Sequence, residues 1–436
     1  MALSIPTKIG LGIVASYTSY ALYVSYAANK EITKRSQLEQ LKIANSNLKP
    51  EEIHGQASLI DKYLSFTVAG RFENPFEEYR VQTLFEFFLS RILELFEGKS
   101  RGNVPSNSKL RELLPIFTPD FELLRESSLK DNPTKKESSD PKLPKFQDRL
   151  TFTWLGQSCS YISISGVNFL TDPLFANYLV NPYLGPKRIT PSPCKIEELP
   201  KPHFIMVSHN HPDHFDEEIA DKLHNESTWI VPLGLRKSLA KKGIFNIIEL
   251  DWWDRVKLPV SEDPNNHYEI VCTPAMHWSG RHLLDSNSSL WCSYVILRNN
   301  KPIFFHAGDT GYVNDLFKMI GSKYGYGLKL AMLPCGQYCP QWHQKPRHIN
   351  PEECIKIMKD LKAQKIIGVH WGTFVLSSEH FLEPKLKLEE LAKNLNKVYD
   401  IFAGEFGKTL VMDLSKDNEE IGEYIPIRDG KSVLIK

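Results

Sequence analysis

Apolar positions change their spacing along the chain, and each spacing predicts a different kind of element. Ile9 to Ala28 is a run of about 20 residues without a charge, bracketed by Lys8 and Lys30, long enough for a helix to cross a bilayer. Val81, Leu84, Phe85, Phe88, Ile92, Leu95 and Phe96 recur every three or four residues and define one helical face. Phe87, Leu89 and Leu93 widen that face beyond a narrow seam, which suits either packing on a core or a membrane-dipping or substrate-groove role. From residue 150 onward the pattern shifts to short apolar runs, such as Leu150 to Trp154 and Tyr161 to Ile164. These alternate with helical patterns at Asp216 to Leu223 and Leu235 to Lys242, while Asn350 followed by Pro351, Glu352 and Glu353 marks a further helix start. Strands interleaved with helices predict an α/β sandwich.

The chain divides accordingly into residues 1–30, a membrane anchor or targeting segment; 31–125, a helical extension; 126–148, a polar, proline-bearing linker; and 149–436, the sandwich. For the N-terminal run the competing readings are an anchor, a cleaved secretory signal and an organelle presequence. Its length and the lack of a small-residue cleavage site favour a single-pass anchor. The first 28 residues hold no acid and only Lys8 as a charge, which suits arrest in the mitochondrial inner membrane and equally an endoplasmic-reticulum anchor. A net charge of +1, from 53 basic and 52 acidic residues, speaks against a nucleic-acid partner. Seven scattered cysteines read as reduced and buried rather than as a disulfide framework.

The densest chemistry follows the apolar run Phe204 to Val207, where His209, Asn210, His211, Pro212, Asp213 and His214 spell HxHxDH. Imidazoles and a carboxylate are the donors zinc takes in hydrolytic sites. Read as strand residues, His209 and His211 face one side and can share an ion, with Asp213 and His214 placed to hold a second. Downstream, His277, Asp309 and His370 each close an apolar segment, and the glycines in Ala307-Gly308-Asp309-Thr310-Gly311 let the backbone turn so that the carboxylate projects.

That order of strand-end ligands resembles the metallo-β-lactamase superfamily over roughly residues 150–415, and so implies a four-layer αββα sandwich. The resemblance implies that His209, His211 and His277 hold one zinc, that Asp213, His214 and His370 hold the other, and that Asp309 bridges them. Asp172 in Leu170-Thr171-Asp172-Pro173 would support the ligand loop. A narrower resemblance, to the N-acylphosphatidylethanolamine-hydrolysing phospholipase D family, rests on segments such as Gly70-Arg71-Phe72-Glu73-Asn74-Pro75, Gly185-Pro186-Lys187-Arg188, Glu249-Leu250-Asp251-Trp252-Trp253 and His370-Trp371-Gly372-Thr373-Phe374. Pro212 departs from the Tyr usual in the animal enzymes, and the N-terminal region also differs. The resemblance implies two Zn²⁺ per chain and a phospholipid substrate at a membrane, cut to N-acylethanolamine and phosphatidic acid, with a homodimer as a further expectation. It makes Asp213 and Asp309 the catalytic carboxylates, leaves the proton donor open between Asp213 and a zinc-bound water, and brings His348 near the phosphate. The alternatives are another dinuclear-zinc hydrolase of this fold and a non-catalytic lipid-binding membrane protein.

Overall fold

The computed structural model describes residues 4–46, 57–183, 185–282, 284–324, 327–416 and 422–436. Its centre is a pair of sheets. In the larger, nine-stranded among the described residues, the edge-to-edge order is β17 (Tyr424–Ile427), β18 (Ser432–Ile435), β16 (Thr409–Asp413), β3 (Arg149–Gly156), β4 (Cys159–Ile164), β5 (Val167–Thr171), β6 (Phe204–Met206), β7 (Thr228–Pro232) and β8 (Ile247–Leu250). The seven-stranded sheet runs β15 (Ile401–Ala403), β14 (Lys365–Val369), β13 (Leu330–Pro334), β12 (Lys301–His306), β11 (Ser293–Arg298), β10 (Tyr268–Thr273) and β9 (Arg255–Lys257). A separate hairpin pairs β1 (Phe66–Val68) with β2 (Arg71–Glu73). Both large sheets are mixed: β5 to β8 and β12 to β15 are parallel runs, extended by antiparallel strands.

Period-two alternation explains how the layers stack. Phe204 and Met206 of β6 point between the sheets, whereas Ile205 and the following Val207 lie in a second cluster with Ile219, Ala220 and Leu239 of the helices outside. Ile230 against Trp229 and Val231 repeats the division in β7. Phe152 of β3 meets Phe304 of β12 across the gap, with ring centroids 6.3 Å apart. Helices Pro351–Leu361 and Glu383–Asn394 cover the seven-stranded sheet, the first with Asn350 and Glu353 forming a reciprocal capping box. Strands buried on both faces read as continuous apolar runs, which is why the sequence pattern from residue 150 is legible.

The N-terminal region departs from expectation. One helix runs unbroken from Ile5 to Ala44, through residue 30. Among the described residues no helix is long and apolar enough to cross a membrane, so the single-pass anchor is corrected. Ser16, Thr18, Ser19, Ser25 and the tyrosines between them dilute the run, which lacks charge without being strongly apolar. Its later half is tied to the body: Arg35 donates to the Lys62 and Leu64 carbonyls, and Lys62 pairs with Glu39 at 2.7 Å. Part of the expected extension, residues 47–56, lies outside the described residues. The segment expected as a linker is also attached to the sandwich, because Leu129 and Phe146 enter the core and Lys135 pairs with buried Asp263 at 2.8 Å. Two well-spaced apolar anchors suffice to seat an otherwise polar stretch.

Phe304→Ala should lower unfolding free energy by about 3–5 kcal/mol, since it opens a cavity where the two sheets meet. Urea titration checks this; a loss below about 1 kcal/mol would place Phe304 outside the load shared by the sheets.

Candidate metal centre

Every ligand-type side chain singled out in the sequence comes to one end of the sandwich, where several strands finish. His209, His211, Asp213 and His214 follow β6; Asp309 follows β12 and His370 follows β14. The strand ends at Met206, so His209 and His211 are loop residues, not the alternating strand positions expected. Their rings nevertheless converge, because the loop is clamped: Arg281 donates to the Asn210, His211 and Phe215 carbonyls, and Asn210 Oδ1 accepts from the Gly280 amide.

The side chains form two adjoining groups. His209, His211 and His277 offer ring nitrogens within 4.8 Å of one another, and so do the ligand atoms of Asp213, His214, Asp309 and His370. His348 is brought in as well, in a set with His277 and Asp309. His209 Nε2 lies 2.8 Å from His211 Nδ1, and His277 Nε2 lies 3.2 Å from the same atom. In the second group His214 Nε2 and His370 Nε2 are 3.1 Å apart, each within 3.2 Å of an Asp309 oxygen, with Asp213 Oδ2 at 3.4 Å from His370.

The hydrogen bonds on the far side of each ring decide which nitrogens face inward bare. His277 Nδ1 donates to the Arg347 carbonyl at 3.0 Å, which can only accept. Ser208 Oγ donates to Asp172 Oδ2 and therefore accepts from His209 Nδ1 at 2.9 Å. His214 Nδ1 donates to Asp172 Oδ2 at 2.8 Å. In the neutral rings these bonds leave lone pairs on Nε2 of His209, His277 and His214. A single proton on His211 Nδ1 cannot satisfy two such lone pairs, but a cation among the three nitrogens does. Asp309 Oδ1 and His348 Nδ1, which lie within the clusters, are buried without a hydrogen-bond partner, as expected where their lone pairs are reserved for another group. The residues fit a divalent metal of borderline character.

Electrostatics differ between the groups. Burial pushes the pKa of His209, His277 and His348 well down and that of His211 to about 3, keeping these rings neutral and able to ligate. Burial also works against charge on His370 and His214, but the Asp309 and Asp213 carboxylates outweigh it, raising His370 to about 9 and His214 well above its ordinary value. With no metal bound, protons partly fill the place of a cation.

Supporting residues include several the sequence reading did not name. Asp172 does sit behind the ligand loop, accepting from the Ser208 amide at 2.7 Å, from Ser208 Oγ and His214 Nδ1 at 2.8 Å each, and from His306 Nε2 at 2.9 Å. Burial raises its carboxyl, yet His306 and His214 hold it down at about 2. Gln157 went unnoticed; its amide donates to Asp213 Oδ2 at 2.8 Å and lies 2.9 Å from His370 Nε2. The one available signal was its position at the turn after β3, where strand-end loops gather. His306 was hidden in the same way, as the last residue of β12.

A two-sheet α/β sandwich with a His and Asp cluster at its strand ends defines a metal-dependent hydrolase of the β-lactamase type. The family model described as a beta-lactamase superfamily domain matches residues 167–371. The chain is 48% identical over 422 residues to the mitochondrial N-acyl-phosphatidylethanolamine-hydrolyzing phospholipase D of Saccharomyces cerevisiae, covering 92% of this chain and 87% of the relative. It is 37% identical over 299 residues to N-acyl-phosphatidylethanolamine-hydrolyzing phospholipase D 1 of Caenorhabditis elegans, covering 64% of this chain and 82% of that one. The protein belongs to the N-acylphosphatidylethanolamine-hydrolysing phospholipase D family.

Asp172→Asn should weaken divalent-metal affinity about 10- to 100-fold in chelator competition, because the ring orientation of His214 depends on that carboxylate. Unchanged affinity would reduce Asp172 to a fold residue. Metal uptake near neutral pH should also release protons from the His214 and His370 pair, measurable in weak buffer. Uptake without proton release would contradict the charged state of these rings.

Proposed function

We propose that the protein is a zinc-dependent phospholipase D that hydrolyses N-acylphosphatidylethanolamines to N-acylethanolamines and phosphatidic acid at a mitochondrial membrane. The observation that carries the reading is the convergence of His209, His211, Asp213, His214, His277, Asp309 and His370 at one end of the sandwich, in a chain 48% identical to the yeast enzyme of that name. The yeast relative's mitochondrial designation supports the location.

His209, His211 and His277 would hold one zinc and Asp213, His214 and His370 the other, with Asp309 reaching both. Bound there, the pair would supply Lewis acidity, acidifying the attacking water and offsetting negative charge on the phosphoryl oxygens. The chain's own residues set the geometry. Asp309 stands between the groups, 3.2 Å from His214 and 3.7 Å from both His277 and His348, so one carboxylate fixes their separation. The new bond joins water oxygen to phosphorus, and the bond broken links phosphorus to the ethanolamide oxygen, which leaves with a proton. Asp213 is a poor source of that proton. Burial raises its carboxyl, but His214 and His370 pull it well below the usual range, so it stays ionised and accepts from Gln157. His348 is buried, neutral and 3.7 Å from Asp309 through Nδ1, which suits it to orient a phosphoryl oxygen by a hydrogen bond.

Vesicles containing N-acylphosphatidylethanolamine, incubated with the zinc-loaded chain, should release N-acylethanolamine and phosphatidic acid in equal amounts. His211→Ala and Asp309→Asn should lower the rate by about three orders of magnitude or more. No release by the zinc-loaded parent would overturn the substrate while leaving the metal centre intact.

A further inference from the structure

Gly70-Arg71-Phe72-Glu73-Asn74-Pro75 carries none of the clustered ligands and lies outside the 167–371 match to the beta-lactamase superfamily domain. Its conformation is nonetheless closely determined. Ala69 and Gly70 both take positive φ, at 50° and 75°, forming the kind of two-residue turn whose twist matches the paired strands β1 and β2. The chain leaves this hairpin through Asn74, a polar residue that is 0% exposed. Asn74 Nδ2 donates to the His277 carbonyl at 2.8 Å, across 203 positions of sequence. A carbonyl only accepts, so the nitrogen of the carboxamide must face it. Asn74 Oδ1 is left buried with no hydrogen-bond partner, so this side chain is kept inside at a cost for the one bond its nitrogen makes.

The partner is a residue whose backbone needs holding. The described residues of 274–292, between β10 and β11, belong to neither large sheet, and His277 stands near their start. Before it, Met276 donates to Thr310 Oγ1 at 3.0 Å and accepts from the Gly311 amide at 2.8 Å, which ties it to the loop carrying Asp309. After it, the His277 carbonyl has Asn74 as its donor. The ring is oriented separately, through Nδ1 and the Arg347 carbonyl. Pinning the peptide that follows His277 fixes the direction of its Cα–Cβ bond, and so the place of Nε2, 3.2 Å from His211 Nδ1.

The hairpin also grips the far end of the same stretch. The Phe72 amide donates to the Asn287 carbonyl at 2.9 Å, and Arg71 to the Leu284 carbonyl at 2.7 Å. Asn287 folds that end back on Ser279, donating to its carbonyl at 2.7 Å and accepting from its amide at 3.2 Å. Behind the hairpin Tyr63, Phe76, Trp252 and Trp291 follow one another with ring centroids 5.4, 6.0 and 6.2 Å apart, and Trp291 Nε1 donates to the Ala275 carbonyl at 2.8 Å. Trp252 belongs to Glu249-Leu250-Asp251-Trp252-Trp253, so two segments without a clustered ligand converge on one loop. Aromatic packing and the Phe72 and Arg71 bonds are enough to seat the hairpin. The Asn74 bond alone reaches the ligand residue.

We propose that Asn74 is a positioning residue of the metal centre: it holds the His277 peptide so that the ring nitrogens of His209, His211 and His277 converge. The N-terminal segment thereby completes a site whose ligands all lie in the sandwich. The proposal rests on the reading of these three rings as metal ligands.

The test uses the full chain and follows Zn²⁺ affinity by chelator competition in a cycle of Asn74→Ala, His277→Ala and the double variant. Asn74→Ala alone should weaken Zn²⁺ binding about tenfold or more, as loss of a group behind a ligand does. His277→Ala keeps the carbonyl that Asn74 binds and removes only the ring, so a merely structural contribution would persist in that background. A contribution made through the ring should vanish there, leaving Asn74→Ala with an effect below about twofold. Equal losses in both backgrounds would overturn the proposal, as would unchanged affinity in Asn74→Ala alone. In the metal-free chain, Asn74→Ala should quicken amide hydrogen exchange over residues 277–289 while β3, β4 and β5 exchange as in the parent. Quickening throughout the sandwich would make Asn74 a general fold residue and count against it. Failure of the parent to take up Zn²⁺ would instead overturn the metal reading, and the exchange result would still decide whether Asn74 holds the His277 loop.

Discussion

One buried carboxylate holds the functional end of this protein together. Asp172 lies at the end of β5 and accepts four hydrogen bonds, two from Ser208, one from His214 and one from His306. Those partners come from the loop after β6 and from the end of β12, hence from both sheets. A fully buried anion is costly unless every lone pair is used, and here the use of those lone pairs fixes the orientation of a ligand ring. The constraint runs outward from there. With Ser208 committed to Asp172, it must accept from His209, and this in turn turns the bare nitrogen of His209 toward His211.

Backbone geometry serves the same end. Asp172 and His370 adopt positive φ, at 35° and 65°, in a region side chains disfavour. The surrounding packing leaves little alternative: a Cβ on Gly336 would lie 2.3 Å from the His370 carbonyl, and one on Gly308 would lie 2.6 Å from Ser208 Cβ. Glycine at these positions lets three strand-end loops approach closely enough for their side chains to share one small volume. Gln157, beside the cluster, also has positive φ, at 50°, although residues elsewhere, such as Lys362 at a helix end, do so too.

Much of this was legible in the sequence, for a definable reason. Donor residues that end apolar segments announce both a strand and a site, so HxHxDH, His277, Asp309 and His370 could be assembled before any coordinates. Gln157 and His306 could not, because a polar residue at a strand end carries no periodic signature and its role depends on which other strand end it meets. For the N-terminal run, length and absence of charge pointed to a membrane anchor, whereas crossing a bilayer also demands strong apolarity, which Ser16, Thr18, Ser19 and Ser25 lower. Polar composition likewise made 126–148 look like an exposed linker, when Leu129 and Phe146 enter the core and Lys135 pairs with Asp263.

The Leu84–Glu97 pattern shows the limit most clearly. Spacing identified a helix and its broad apolar surface, but periodicity gives the relative angle of residues and not the direction in which the body lies. Only the partners of Glu86 and Glu94 fix that direction. Once His343 and Arg101 are seen to occupy the polar side, the apolar side has nowhere to go but outward. Glu86 and Glu94, which would otherwise keep such a helix hydrated, are spent inside, tying it to two loops beside the metal centre.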